Sequence, residues 1–293
     1  MNGTYSSDGA RLAFRDSRDG TPVIFLHPTP LDGEYWRPML ADFPAALPAE
    51  MPPEMPPEMP KIRAIVPDFR CHGASELGRM LPLGDFHRVP DAPVLTMAQL
   101  AADVLALLDH LRLDQAFFAG CSIGGYVMLE LWRRAPERMR GLAFVCSKPQ
   151  PDGEAGLAKR VLTISTARKD GVAKLFDGMA QNLVGASTRE QRPQVVAELR
   201  ARMTLSVEAE VAVQAGLAAR SDSLPTVATI DAPVLSIAGA EDSAIAPSDM
   251  EAFRSAPGGC ESHLLANAGH FAAYEQPAKI APLISAWLRR NGA

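Results

Sequence analysis

Six short apolar runs punctuate the sequence: VIFL (23–26), IRAIV (62–66), QAFFA (115–119), GLAFVC (141–146), PVLSIAG (233–239) and SHLLA (262–266). They lack the strict polar alternation of a strand with one wet face, and this is the pattern of strands covered on both sides. Between two of them, Met97, Leu100, Ala101, Val104, Leu107, Leu108 and Leu111 fall at helical spacing, and Thr96 with Gln99 forms a candidate capping box. Further helices are expected over about 124–135, 247–255 and 277–290. Buried strands that alternate with helices require an α/β fold, a mostly parallel sheet with helices on both faces. Ahead of the first run, RLAFR (11–15) does alternate, and it predicts an antiparallel hairpin at the sheet edge.

Residues 148–228 break this rhythm. They hold no buried-strand run, but they do hold amphipathic patterns such as Val172, Leu175, Phe176, Met179 and Leu183, and a second that begins after Ser187 with Glu190 three residues on. A helical insertion between core strands is expected to cap the sheet's carboxyl edge. The chain is therefore read as a core in two parts, 1–147 and 229–293, with a helical cap over 148–228. EMPPEMPPEMP (50–60) has too few backbone donors for helix or sheet, so an exposed polyproline-like loop is expected there.

Composition removes several classes of function. The formal charge is -5, with both signs mixed along the chain, so there is no basic stripe for nucleic acid. No apolar run reaches the roughly 20 residues of a membrane span, and MNGTYSSDGARLAFRD lacks the order of a secretion signal, which predicts a soluble cytoplasmic protein. Cys71, Cys121, Cys146 and Cys260 stand far apart without a CxxC, so no metal site and no disulfide framework is expected. GCSIGG lacks the spacing and the downstream acid of a dinucleotide loop, and no cofactor is expected.

The chemistry concentrates at FFAGCSIGGY (117–126), where a buried strand stops and a helix begins. A serine in that junction must turn sharply, and side chains two positions to either side would collide with the neighbouring turn. Gly120 and Gly124 stand at those two positions, so Ser122 is expected on a strained elbow at the helix N-terminus. AEDSAIAP, after another strand, offers Asp242 or Glu241, and NAGHF, after a third, offers His270. A hydroxyl nucleophile needs a base, and the base needs an anion to fix its tautomer. Cys121 precedes the centre of the elbow and is expected to project away from any pocket.

LHPTP, DFRCHGAS (68–75), GCSIGG, AGAEDSAIAP and NAGHFAAYEQP together resemble the α/β-hydrolase superfamily, particularly its small capped esterases, enol-lactonases and cofactor-free haloperoxidases. The resemblance implies an eight-stranded sheet, with Ser122 as nucleophile, Asp242 as acid and His270 as base. The GxxD register from Gly239 favours Asp242 over Glu241. It also implies an oxyanion hole, for which the backbone of Ile123 is one expected donor. The other should come from HPTP; Pro28 and Pro30 have no N–H, which leaves Thr29. His27 and His72 are expected to bond backbone carbonyls. Tyr35, Trp36, Phe176 and Phe271 are candidate substrate-pocket residues. The implied activity is hydrolysis of a small carboxylic ester or lactone by water through an acyl-enzyme. Lyase or perhydrolase chemistry on the same residues, or a receptor-like binder with little turnover, are the alternatives.

Overall fold

The computed structural model describes residues 2–43, 61–80 and 92–293. The Pro-rich stretch 50–60 lies outside the described residues. Eight strands form one sheet: β1 (Asn2–Ser7), β2 (Ala10–Asp16), β3 (Thr21–Leu26), β4 (Ile62–Pro67), β5 (Ala116–Cys121), β6 (Met139–Val145), β7 (Val234–Gly239) and β8 (Cys260–Leu265). Their order is β1-β2-β4-β3-β5-β6-β7-β8. The β1–β2 and β2–β4 pairs are antiparallel and the others parallel.

The helices are α1 (Arg37–Asp42), α2 (Met97–His110), α3 (Ile123–Arg134), α4 (Glu154–Asp170), α5 (Ala173–Leu183), α6 (Ala186–Gln191), α7 (Pro193–Arg202), α8 (Val207–Ala218), α9 (Leu224–Val227), α10 (Pro247–Met250), α11 (Ala272–Glu275) and α12 (Pro277–Arg290). Among the described residues no helix is long and apolar enough to cross a membrane.

β5 shows why the central strands need helices on both faces. All six of its residues are buried, and successive side chains point to opposite sides of the sheet. Phe117 meets Trp287 of α12 edge-on, 5.6 Å between ring centroids. A side chain at Gly120, on the other face, would run into Met128 of α3. The apolar core that begins at the sheet continues into the inserted helices, with Phe176, Leu199, Ala212 and Val213 in the same cluster as Phe118 and Leu142.

Three local expectations are corrected. Thr96 caps α2 by accepting from the Gln99 amide, but the Gln99 side chain donates to the Arg79 carbonyl instead of returning to Thr96. Ser187 sits inside α6, whose N-cap is Gly185, because Glu241 accepts from both the amide and the hydroxyl of Ser187. The single helix expected over 247–255 is the short α10 followed by a 3-10 turn, Glu251–Ser255.

Candidate active site

Ser122 occupies the junction between β5 and α3 with φ 52° and ψ -116°. A non-glycine residue in that region carries strain of about 1–3 kcal/mol, which persists only where the surroundings enforce it. Here they do. The Ser122 amide donates to the Val145 carbonyl of β6, and its own carbonyl accepts from the Ser147 hydroxyl and the Gly125 amide. A Cβ on Gly120 would lie 2.6 Å from the Gly124 carbonyl carbon, and one on Gly124 would lie 2.4 Å from the Leu26 carbonyl oxygen. Glycine at these two positions lets the elbow sit against β3.

His270 follows β8, and Asp242 follows β7. The Nδ1 of His270 lies 2.8 Å from Oδ2 of Asp242. A carboxylate can only accept, so Nδ1 carries a proton, and whenever the ring is neutral Nε2 is the acceptor. Oδ1 of Asp242 accepts from the amides of Ala244 and Ile245 at 2.8 and 3.0 Å. Burial opposes ionisation of Asp242, yet the charge and hydrogen bond of His270, with these two amides, hold its carboxyl below the usual range. Glu241, the alternative acid, turns to Ser187 of α6.

Ser122 and His270 both line a cavity of about 790 Å³, with Thr29 and Pro30 beside them. α4 and α5 also line it, so the inserted helices cover the carboxyl ends of the strands. The cavity lining includes the apolar side chains of Leu175, Met179, Leu183, Leu217 and Ile245.

The amide of Ile123 opens α3, where no carbonyl of the helix can reach it. Two neutral histidines brace the HPTP loop, and one of them bonds Thr29 directly. The Nδ1 of His72 donates to the Arg70 carbonyl at 2.7 Å, which leaves Nε2 to accept from the Thr29 hydroxyl at 3.0 Å. The Nδ1 of His27 donates to the Pro28 carbonyl, and its Nε2 accepts from the Phe69 amide, both at 3.0 Å. Burial pushes both imidazoles down to about 3, so they act as fixed hydrogen-bonding struts near neutral pH.

The four aromatic candidates are corrected. Tyr35, Trp36, Phe176 and Phe271 are at most 1% exposed, and none is among the described residues that line the cavity. Tyr35 donates its hydroxyl to Cys121 Sγ and accepts from the Ala273 amide, each at 3.2 Å, behind the site. Trp36 packs on Phe25. Phe271 meets Tyr35 edge-on, and Phe176 belongs to the shared core. Cys121 is buried, and its sulfur faces the His270 carbonyl rather than the cavity.

Sequence reasoning missed Glu275. Fully buried at the end of α11, it accepts from the amides of Gly269 and Phe271, on either side of His270, and from Gly185 between α5 and α6. A further bond, from the His270 amide to the Leu183 carbonyl, ties the same loop to α5. A carboxylate five residues after the histidine is the only trace of this arrangement in the sequence.

Four similarities bear on this chain. A profile of the alpha/beta hydrolase family matches residues 23–283. The chain is 30% identical over 182 residues to the 3-oxoadipate enol-lactonase 2 of Acinetobacter baylyi, a match that spans 62% of each chain. Among solved structures, an esterase from Thermogutta terrifontis, described as malate bound, superposes with a TM-score of 0.83 at 27% identity, covering 99% of this chain and 97% of the other. The enol-lactonase of Burkholderia xenovorans LB400 shares the fold with a TM-score of 0.81 at 22% identity, covering 98% and 100%.

Proposed function

The chain belongs to the α/β-hydrolase family, and from that premise we propose that it hydrolyses small carboxylic esters or lactones through a covalent intermediate on Ser122. The observation that carries this reading is the 2.8 Å contact between Asp242 and His270, with His270 and Ser122 opening onto one cavity. The relatives named as esterase and enol-lactonase support the same class of bond.

In this reaction the Ser122 hydroxyl attacks the substrate carbonyl while Nε2 of His270 takes its proton. Asp242 keeps the proton on Nδ1 and stabilises the imidazolium that forms. Negative charge grows on the carbonyl oxygen, where the Ile123 and Thr29 amides donate; each such donor is worth about 3 kcal/mol of barrier. Collapse of the adduct breaks the ester bond, and His270 returns the proton to the leaving alcohol. Water then enters, His270 deprotonates it, and the acid is released as Ser122 regains its proton.

A phosphonate ester tests the reading directly. It should label the protein stoichiometrically on Ser122, and Ser122→Ala should lose both the label and ester turnover. Undiminished turnover in that variant rejects the proposal.

A further inference from the structure

The lining of the cavity that holds Ser122 carries more positive charge than hydrolysis of a neutral ester requires. Arg160 and Lys159 of α4, Lys174 of α5 and Lys148 after β6 all line it. The lining carboxylates are Asp152 and Glu154, and Glu154 is exposed at the rim. Lys148 pairs with Asp249 at 3.5 Å. Asp152 is shared by two guanidinium groups: Arg160 Nε at 2.9 Å and Arg220 Nη2 at 3.4 Å. One carboxylate between two arginines leaves a local surplus of positive charge, and Lys159 and Lys174 have no ion pair among the described residues.

Arg160 is also held in place. Its Nη1 donates to Oε1 of Gln214 at 2.9 Å, and Nε2 of Gln214 donates in turn to buried Glu210 at 2.8 Å. Arg220 lies 3.9 Å over the ring of Tyr126, which lines the cavity one helical turn along α3 from Ser122. One turn advances about 5.4 Å, so Tyr126 is set back from Ser122 by that rise along α3. A planar guanidinium fixed at two of its nitrogens is suited to take a carboxylate on its remaining edge.

We propose that the wall formed by Arg160, with Lys159 and Lys174 at its mouth, binds a carboxylate carried by the substrate at the end remote from the bond that Ser122 attacks. This deepens the ester or lactone reading and rests on it: the substrate is a monoanionic ester or lactone whose hydrocarbon segment lies along Leu175, Met179 and Leu183.

The test compares monomethyl succinate, glutarate and adipate with the neutral methyl esters of equal chain length. The readout is the ratio of kcat/KM, anionic over neutral, so a general loss of activity cancels. The ratio should exceed ten for at least one pair, fall at least tenfold in Arg160→Gln, and fall two- to fivefold in Lys174→Gln, whose exposed side chain makes misfolding no concern. A ratio at or below one for every pair, or one unchanged in both variants, overturns the subsite while leaving the hydrolase reading intact. Calorimetric binding of glutarate to Ser122→Ala reads the subsite without chemistry. If neither ester class turns over but glutarate binds and Arg160→Gln weakens it at least tenfold, the hydrolase reading fails and the subsite stands; absence of glutarate binding together with absence of turnover rejects both.

Discussion

Glu275 holds His270 from both sides: its carboxylate accepts from the amide before the histidine and from the amide after it, at 3.1 to 3.2 Å. Its third bond, to Gly185 at 2.9 Å, links that loop to the covering helices. Glu275→Ala would leave three buried amides without an acceptor, and each such group costs about 1–3 kcal/mol. We expect a loss of at least about 3 kcal/mol in denaturant unfolding, together with slower phosphonate labelling of Ser122. Glu275→Gln keeps one acceptor oxygen and should fall between the two. A purely structural role predicts lower stability with an unchanged labelling rate in the folded fraction.

Asp242→Asn should damage turnover far more than stability. The amides of Ala244 and Ile245 demand an acceptor at Oδ1, so the asparagine must place its oxygen there and present its NH2 to His270. Nδ1 would then have to accept, the proton would move to Nε2, and Nε2 could no longer take a proton as the proposed reaction requires. We expect kcat to drop on the order of 10^3- to 10^4-fold, with a thermal midpoint close to that of the parent.

The parts of this site that announce themselves in the sequence are those fixed by local backbone demands. Ser122 is legible because a strand-to-helix elbow needs glycine at 120 and 124, and His270 because it follows an apolar run that reads as a strand; the run before Asp242 offers Glu241 equally, and only the GxxD register of the resemblance separates them. Glu275, Gln214 and the histidine brace on Thr29 are not legible. Their partners lie up to 90 residues away in sequence, and no periodicity encodes such a pairing. Tyr35, Trp36 and Phe271 are hard to place for a related reason, since proximity in sequence to the HPTP or His270 loop does not say whether a ring faces the cavity or the core behind it. Ser187 fits the local pattern of an N-cap, and only the tertiary contact with Glu241 overrides it.

Tyr35→Phe checks the reassignment of that ring. The hydroxyl satisfies the Ala273 amide and donates to Cys121, so its removal should cost about 1–2 kcal/mol of stability. KM should stay within about twofold of the parent, because the ring does not reach the cavity. A large, substrate-dependent change in KM would return Tyr35 to the pocket.

Gly124→Ala tests the packing of the elbow. The added Cβ would stand 2.4 Å from the Leu26 carbonyl oxygen and 2.9 Å from its carbon. These are backbone atoms of β3 and cannot rotate aside, so α3 would have to shift. Overpacking of this kind costs about 3 kcal/mol. The expected result is a lower denaturant midpoint accompanied by loss of Ser122 labelling, since Ser122 rides on the same turn.

Glu210 makes the stability of the fold depend on pH. It is fully buried on α8, one carboxylate oxygen accepts from Gln214, and the other has no hydrogen-bond partner. Burial raises its carboxyl from 4.5 to about 7, against the opposing effects of the Gln214 bond and the charge of Arg160. The folded protein therefore holds this proton more tightly than the unfolded chain does. Between about pH 4.5 and 7 the unfolded chain releases it first, so this group lowers stability as pH rises through that window, by roughly 3 kcal/mol in all. Glutamine at this position can still accept from Gln214 but cannot ionise. Glu210→Gln should match the parent near pH 4.5 and exceed it increasingly up to pH 8, measured by denaturant unfolding at each pH. A constant difference between the two proteins across that range would show that Glu210 does not titrate there.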